Sequence, residues 1–274
     1  MVHETGRGMP HHPDFHALQA PDHPALIMAD SGVIVTYRAL VAHANQLAHL
    51  LVSLGCQEDD CVAILMENQP RFVEACWAAK NTGLHYVSIS KQLHATQIAF
   101  ILQDCGARVF LTSSALADIA VPAVKLLERR PALLMSGAAV APFKSLDAAI
   151  AGQPTSRVPD RKRGNSLLYS SGTTGRPKGI RVPLVDVPPD QPPRRFAHLV
   201  ADYGLDSRTV FLAPGPFYHV APQRLLMSVL RCGGTVIGFE RFDAAPCCTR
   251  CTAAVKAWAI PASIRTIGWR TRAR

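Results

Sequence analysis

The chain has 274 residues, 48% hydrophobic and 18% charged, and its 29 Lys and Arg against 20 Asp and Glu give a formal charge of +9. A chain this long and apolar can bury a substantial core as one large or two modest domains, which excludes disorder of the whole. The basicity does not point to a nucleic-acid partner: residues 1–243 hold 23 basic and 20 acidic groups, and the remaining six basic groups (Arg250, Lys256, Arg265, Arg270, Arg272, Arg274) crowd into residues 244–274 without an acid.

Residues 1–24 carry Pro10, Pro13, Pro21 and Pro24 together with His3, His11, His12, His16 and His23, and read as a flexible N-terminus without a ligand pattern for metal. They lack an apolar signal segment, and no apolar run nears the roughly eighteen residues of a membrane span, so a cytoplasmic protein is expected. From residue 25 short apolar runs alternate with helical stripes. Strands are predicted at 25–28 and 33–35. The helix after Thr36 is the clearest, with Leu40, Ala44, Leu47, Leu50, Leu51 and Leu54 at helical spacing behind a Thr suited to an N-cap and Gly55 at its end. A strand at 61–66 leads to a second helix from Asn68, where Pro70 occupies an early position and Phe72, Val73, Cys76 and Trp77 mark the buried face. Strands at 86–89, 109–112, 132–135 and 166–169 follow, with helices at 96–105 and 145–150. The segment 185–195 holds four prolines and reads as an exposed loop. Helices at 196–203 and 223–230 and strands at 210–212 and 235–237 complete the pattern. Such alternation predicts an α/β fold, a doubly wound, largely parallel sheet with flanking helices, over residues 25–243. The tail, 244–274, loses this periodicity.

Cys56, Cys61, Cys76, Cys105 and Cys232 sit in apolar segments, as buried thiols of a reducing compartment would. Cys247, Cys248 and Cys251 cluster in the tail, but no second Cys/His pair completes a zinc site with them.

The segment that carries chemistry follows the strand at 166–169: Tyr169-Ser170-Ser171-Gly172-Thr173-Thr174-Gly175-Arg176-Pro177-Lys178-Gly179. Its glycines let the backbone turn sharply and approach a ligand, so that successive N–H groups can point at phosphate oxygens. The hydroxyls add donors, and Arg176 and Lys178 add charge. It is neither a Walker A loop nor a dinucleotide fingerprint. A plain Gly/Ser/Thr loop is the alternative, yet the eight residues Ser171–Gly175 and Pro177–Gly179 recur by chance only about once in 10^10 starting positions on average residue usage.

This segment resembles the phosphate loop of the adenylate-forming enzymes, the AMP-binding superfamily of acyl-CoA synthetases, luciferases and peptide-synthetase adenylation domains. Other stretches resemble it in order. Val35–Leu40 is similar to the family's T-Y-x-E-L helix start with Ala39 in place of the acid, and Ala78–Ser90 to its K-x-G-x-x-Y-V-P-I segment with Ser88 in place of Pro. Pro216-Phe217-Tyr218-His219 and Val229–Glu240 are similar to the P-x-x-H and G-G segments. The resemblance covers roughly 25–243 and is nearest the acyl-CoA synthetase, or fatty-acid-CoA ligase, branch. It implies that a carboxylic acid, a fatty acid in that branch, attacks Mg-ATP to give an acyl adenylate, and that coenzyme A then displaces AMP. It also implies that Ser170, Ser171, Gly172, Thr173, Thr174, Gly175, Lys178 and Gly179 hold phosphate. His219 would stand where nucleotide and acyl sites meet, with an ordinary helix-edge histidine as the alternative.

The family's Y-G-x-T-E segment, ribose-binding Asp, hinge and adenylation lysine have no counterpart here, so the catalytic residues are unknown and a protein metal site is not assigned. The expectation is a truncated relative with impaired turnover, its tail arising from a frame change near residue 244. A noncatalytic nucleotide- or acyl-binding remnant is the alternative.

Overall fold

The computed structural model describes residues 11–169 and 177–241 and the backbone of 170 and of 266–267. Helix α1 (Pro13–Gln19) precedes an antiparallel pair, β1 (Pro24–Met28) and β2 (Ile34–Thr36). The chain then alternates through α2 (Tyr37–Ser53), β3 (Cys61–Leu65), α3 (Pro70–Asn81), β4 (His85–Ser88), α4 (Ala95–Asp104) and β5 (Ala107–Ser113). A 3-10 turn at Ser114–Leu116 runs into α5 (Ala117–Lys125), followed by β6 (Ala132–Ser136), β7 (Lys144–Ser145), α6 (Leu146–Ile150) and β8 (Asn165–Ser166). Beyond these come β9 (Leu168–Ser170), β10 (Lys178–Ile180), α7 (Arg194–Tyr203), β11 (Val210–Ala213), α8 (Val220–Cys232), β12 (Thr235–Gly238) and β13 (Thr266–Ile267).

The α/β, largely parallel architecture expected from the sequence is present, but its strands divide between two sheets. One has the order β7-β6-β5-β3-β4-β8 with every neighbouring pair parallel. The other has the order β13-β11-β12-β1-β2 and is parallel except for β1 and β2. In β3, Val62 and Ile64 join the core cluster that includes α2, α3 and α8, while Cys61, Ala63 and Leu65 join the one that includes α4 and α5. Burial on both faces is why this strand reads as an unbroken apolar run. The first cluster also takes in Leu26 of β1 and Val236 of β12, so α2, α3 and α8 link the two sheets through one core.

Capping and polar staples fix these layers. Thr36 caps α2, its hydroxyl accepting from the Ala39 N–H at 3.3 Å. The buried Tyr37 hydroxyl lies 2.7 Å from the Gly234 carbonyl and 3.2 Å from that of Leu230, tying the start of α2 to the end of α8. Burial raises its phenol pKa and keeps it a donor.

Residues 11–24 depart from the flexible lead-in expected of them. Pro13 begins α1 at a position where a missing N–H costs nothing, and the histidines find partners in the fold. His12 Nε2 lies 3.1 Å from Asn81 Oδ1, His16 Nε2 donates to the Arg231 carbonyl at 2.9 Å, and the His23 ring stacks on Tyr37. Among the described residues no three His, Cys, Asp or Glu side chains come together as a metal site.

The Pro-rich loop at 185–195 is exposed along most of its length and is tied down by Arg163, whose backbone N–H donates to the Val187 carbonyl at 2.8 Å and whose guanidinium donates to that of Gln191 at 2.6 Å, and by Arg231. The buried Arg231 guanidinium donates to the carbonyls of His11 at 2.7 Å and Pro189 at 3.1 Å, and lies 5.2 Å over the Trp77 ring. It thus clasps the N-terminal segment and the loop against the core. Cys56, Cys61, Cys76, Cys105 and Cys232 are all buried and free, as expected. Cys247, Cys248 and Cys251 lie outside the described residues. Among the described residues no helix is long and apolar enough to cross a membrane.

Candidate functional site

Past β8 the chain leaves the six-stranded sheet and enters an antiparallel ribbon of β9 and β10, with Ser170 opposite Lys178, Tyr169 opposite Gly179 and Leu168 opposite Ile180. This register brings the two ends of the Gly-rich segment together, with the backbones of Ser170 and Lys178 paired. Ser171, Gly172, Thr173, Thr174 and Gly175 lie outside the described residues. Of the phosphate contacts expected from the sequence, the structure therefore places Ser170, Lys178 and Gly179.

The ribbon is held by Tyr169, whose hydroxyl donates to the Asp104 carboxylate at the end of α4. Burial and this carboxylate both raise the phenol pKa, so the donor persists at any ordinary pH. Gly179 faces this ring: a Cβ there would lie 2.9 Å from Tyr169 Cζ, a contact only glycine avoids. The structure thus gives Gly179 a packing reason. Lys178 is exposed, and among the described residues no carboxylate pairs with it.

His219 lies on a second element, between β11 and α8. Its backbone caps α8 while its side chain makes no cap hydrogen bond, leaving an exposed ring 4.8 Å from that of Tyr218. The turn at 214–219 is positioned by Asn68, which follows β3. Asn68 Oδ1 accepts from the Phe217 N–H at 2.7 Å, and its Nδ2 donates to the carbonyls of Phe239 at 2.8 Å and Gly215 at 3.1 Å. Gly238 lets Phe217 close on the end of β12, since a Cβ there would fall 2.6 Å from Phe217 Cζ. One buried amide therefore joins the carboxyl ends of β3, β11 and β12, the edge where parallel sheets of this class bind ligands. Sequence pattern places Asn68 as the start of the second helix, but the helix begins at Pro70 and Asn68 serves instead as this staple.

Beside this edge, Gln223 of α8 donates to Ser88 Oγ at 2.7 Å, so the serine that stands in place of the family's proline carries a hydrogen bond to α8. Gln223 also lines a cleft of about 650 Å³ bounded by Tyr86, Ser166, Phe196, Leu199 and Met227, with Lys80 buried in its wall.

The described residues suit a polyphosphate. An exposed ammonium with no carboxylate partner among the described residues stands where the Gly-rich segment rejoins the ribbon, at the strand position paired with Ser170, and a cation there matches phosphate oxygens. A magnesium ion on such a ligand takes much of its coordination from the phosphates and water, so it does not require a cage of side chains.

A family model described as AMP-binding enzyme matches residues 14–262, extending on both sides of the 25–243 range of the sequence resemblance. Chondramide synthase cmdD of Chondromyces crocatus is 31% identical over 237 residues, which are 80% of this chain and 6% of that protein. The long-chain-fatty-acid–CoA ligase FadD13 of Mycobacterium tuberculosis is 28% identical over 230 residues, 83% of this chain and 44% of the ligase. Among solved structures, the inhibitor-bound N-terminal domain of FACL13 from Mycobacterium tuberculosis superposes with a TM-score of 0.71 at 26% identity, covering 88% of this chain and 59% of that one. The chain thus spans less than two thirds of the relatives it matches.

Proposed function

The chain belongs to the AMP-binding enzyme family, and on that premise we propose that it serves an ATP-dependent acid–thiol ligase, activating a carboxylic acid as an acyl adenylate and passing the acyl group to coenzyme A. The observation that carries the reading is the β9–β10 register, which pairs Ser170 with Lys178 where the Gly-rich segment leaves and rejoins the ribbon. ATP supplies the electrophilic phosphorus, and Mg2+ accompanies its phosphates. Ser170, Ser171, Thr173 and Thr174 would supply hydroxyl donors, the segment through Gly172 and Gly175 backbone N–H groups, and Lys178 charge to the β and γ phosphates. Each such preorganised contact is worth about 2.7–4 kcal/mol where charge develops on the leaving pyrophosphate. Gly179 keeps Tyr169 close and so fixes the ribbon. His219, its side chain unused by the helix it begins, borders the acid, and Asn68 holds it in place.

A fatty acid is the proposed substrate class, supported by the ligase relative. The peptide-synthase relative makes an amino acid the competing acid and a carrier-bound thiol the competing acceptor. Pyrophosphate release by purified chain, with ATP and either a fatty acid or an amino acid, separates these. Release that depends on fatty acid supports the reading, and release that depends only on amino acids overturns the substrate class. Nucleotide binding without release under either condition favours the noncatalytic remnant.

A further inference from the structure

Lys80, near the end of α3, is 9% exposed, and among the described residues its amine has neither a hydrogen-bond acceptor nor an ion pair. The Lys80 Nζ lies over the Tyr86 ring of β4, 5.5 Å from its centroid. The charged groups facing it are Arg231 of α8 and Arg163 ahead of β8, with the Cys76 thiol one turn back on α3. Burial and the two guanidiniums oppose the ammonium form and push the Lys80 pKa down to about 7. An ordinary lysine, with a pKa near 10.4, is deprotonated only about once in 2,500 molecules at pH 7. The downward shift makes Lys80 far more often neutral than an ordinary lysine near pH 7, and among the described residues nothing engages its lone pair.

This amine is reached through the cleft of about 650 Å³. The walls combine apolar Phe196, Leu199 and Met227 with the guanidiniums of Arg194, Arg195 and Arg224, and none of the described lining residues is Asp or Glu. His198 is the remaining titratable wall residue. A neutral, desolvated amine beneath a cationic mouth is the arrangement that activates a lysine as a nucleophile, and the mouth selects for negative charge on what enters.

We propose that Lys80 is a covalent binding site for small anionic aldehydes, held in this cleft as an imine. The Nζ lone pair adds to the carbonyl carbon, and the carbonyl oxygen takes the proton that nitrogen releases. Loss of that oxygen as water, carrying the remaining N–H proton, leaves the C=N bond. Hydrolysis reverses the step, and no oxidant or reductant is consumed. The anionic group of the ligand meets the α7 and α8 arginines while its apolar part lies on Phe196 and Leu199. The site uses none of the phosphate-ribbon residues and does not depend on the ligase reading.

The test is pyridoxal 5′-phosphate labelling of the whole chain, trapped with borohydride and mapped by peptide mass spectrometry from pH 6 to 9. The chain has seven lysines. At pH 7.5 and low probe, Lys80 should label at least tenfold faster than the average of the other six, and its rate should level off above pH 8 while theirs keep rising. Pyridoxal without the phosphate should label Lys80 at least fivefold more slowly. The fast phase should vanish in folded Lys80→Met. Labelling of Lys80 no faster than the surface lysines, or a fast phase that survives in Lys80→Met, overturns the site. Equal rates with pyridoxal overturn its preference for anions. The wild-type map decides the matter even if the variant does not fold.

Discussion

Asn68→Ala tests how the candidate site is held together. The side chain makes three hydrogen bonds, and two of its partners, Phe217 at 0% and Phe239 at 3% exposure, have no access to water once it is gone. The third partner, Gly215, is partly exposed and can be rehydrated. Two stranded buried groups at about 1–3 kcal/mol each, eased by relaxation, give a loss of about 2–4 kcal/mol. Asn68→Asp discriminates the hydrogen-bond pattern from mere volume. Its carboxylate can still accept from the Phe217 N–H but faces two carbonyls where Nδ2 donated, so at pH 7.5 it should be at least as damaging as alanine. Those carbonyls and burial raise the carboxyl pKa, so the protonated form is the one the fold favours. Stability should therefore recover as pH falls toward 5, when an O–H can donate to one carbonyl. Urea denaturation at the two pH values reads both effects, and pyrophosphate binding should weaken in parallel. Variants within about 0.5 kcal/mol of wild type, or an Asp variant that tracks alanine at every pH, would refute the staple.

His43, whose Nδ1 lies 2.8 Å from Oε1 of the buried Glu74, has its pKa raised chiefly by that hydrogen bond. The stabilisation is complete below the unfolded pKa near 6.5 and lost as pH rises through the higher folded value. His43→Ala should therefore cost a few tenths of a kcal/mol more at pH 5.5 than at pH 8.5, the ring being too exposed for more, and equal costs would contradict this. Gly179→Ala must displace the Tyr169 ring and should weaken pyrophosphate binding about tenfold, whereas an unchanged titration would show that ring and ribbon are not coupled. Arg231→Met removes the donors that hold the His11 and Pro189 carbonyls, so limited proteolysis within 185–193 should accelerate severalfold, and an unaltered cleavage rate would dissociate the loop from the clasp.

Local pattern made much of the fold legible. The helix expected behind Thr36 is α2 with that residue as its cap, and every strand expected up to residue 237 has a counterpart within a residue or two, the one at 166–169 divided into β8 and β9. What periodicity could not carry is pairing across long separations. β1 pairs with β12 through Leu26 and Val236, more than two hundred residues apart, and nothing in either strand's alternation names the other. The ribbon strand β10 was missed because Lys178-Gly179-Ile180 has no apolar alternation; it is a strand because β9 offers it partners. Helix α1 was hidden by its prolines and histidines, whose partners Asn81, Arg231 and Tyr37 come from distant elements. For the site, the Gly-rich segment was legible because its composition is rare. Asn68 and Lys80 were not, because their character comes entirely from what surrounds them.

The most direct measurement is a calorimetric titration of the wild-type chain and of the double variant Lys178→Ala, Thr174→Ala with Mg-ATP and with pyrophosphate, beside a urea curve for each. We expect binding to the wild type and at least tenfold weaker binding to the variant, with stabilities within about 0.5 kcal/mol because Lys178 is exposed and buries no contact. Equal binding by the two, or none by a folded wild-type chain, would contradict the assignment of the β9–β10 ribbon as the phosphate site.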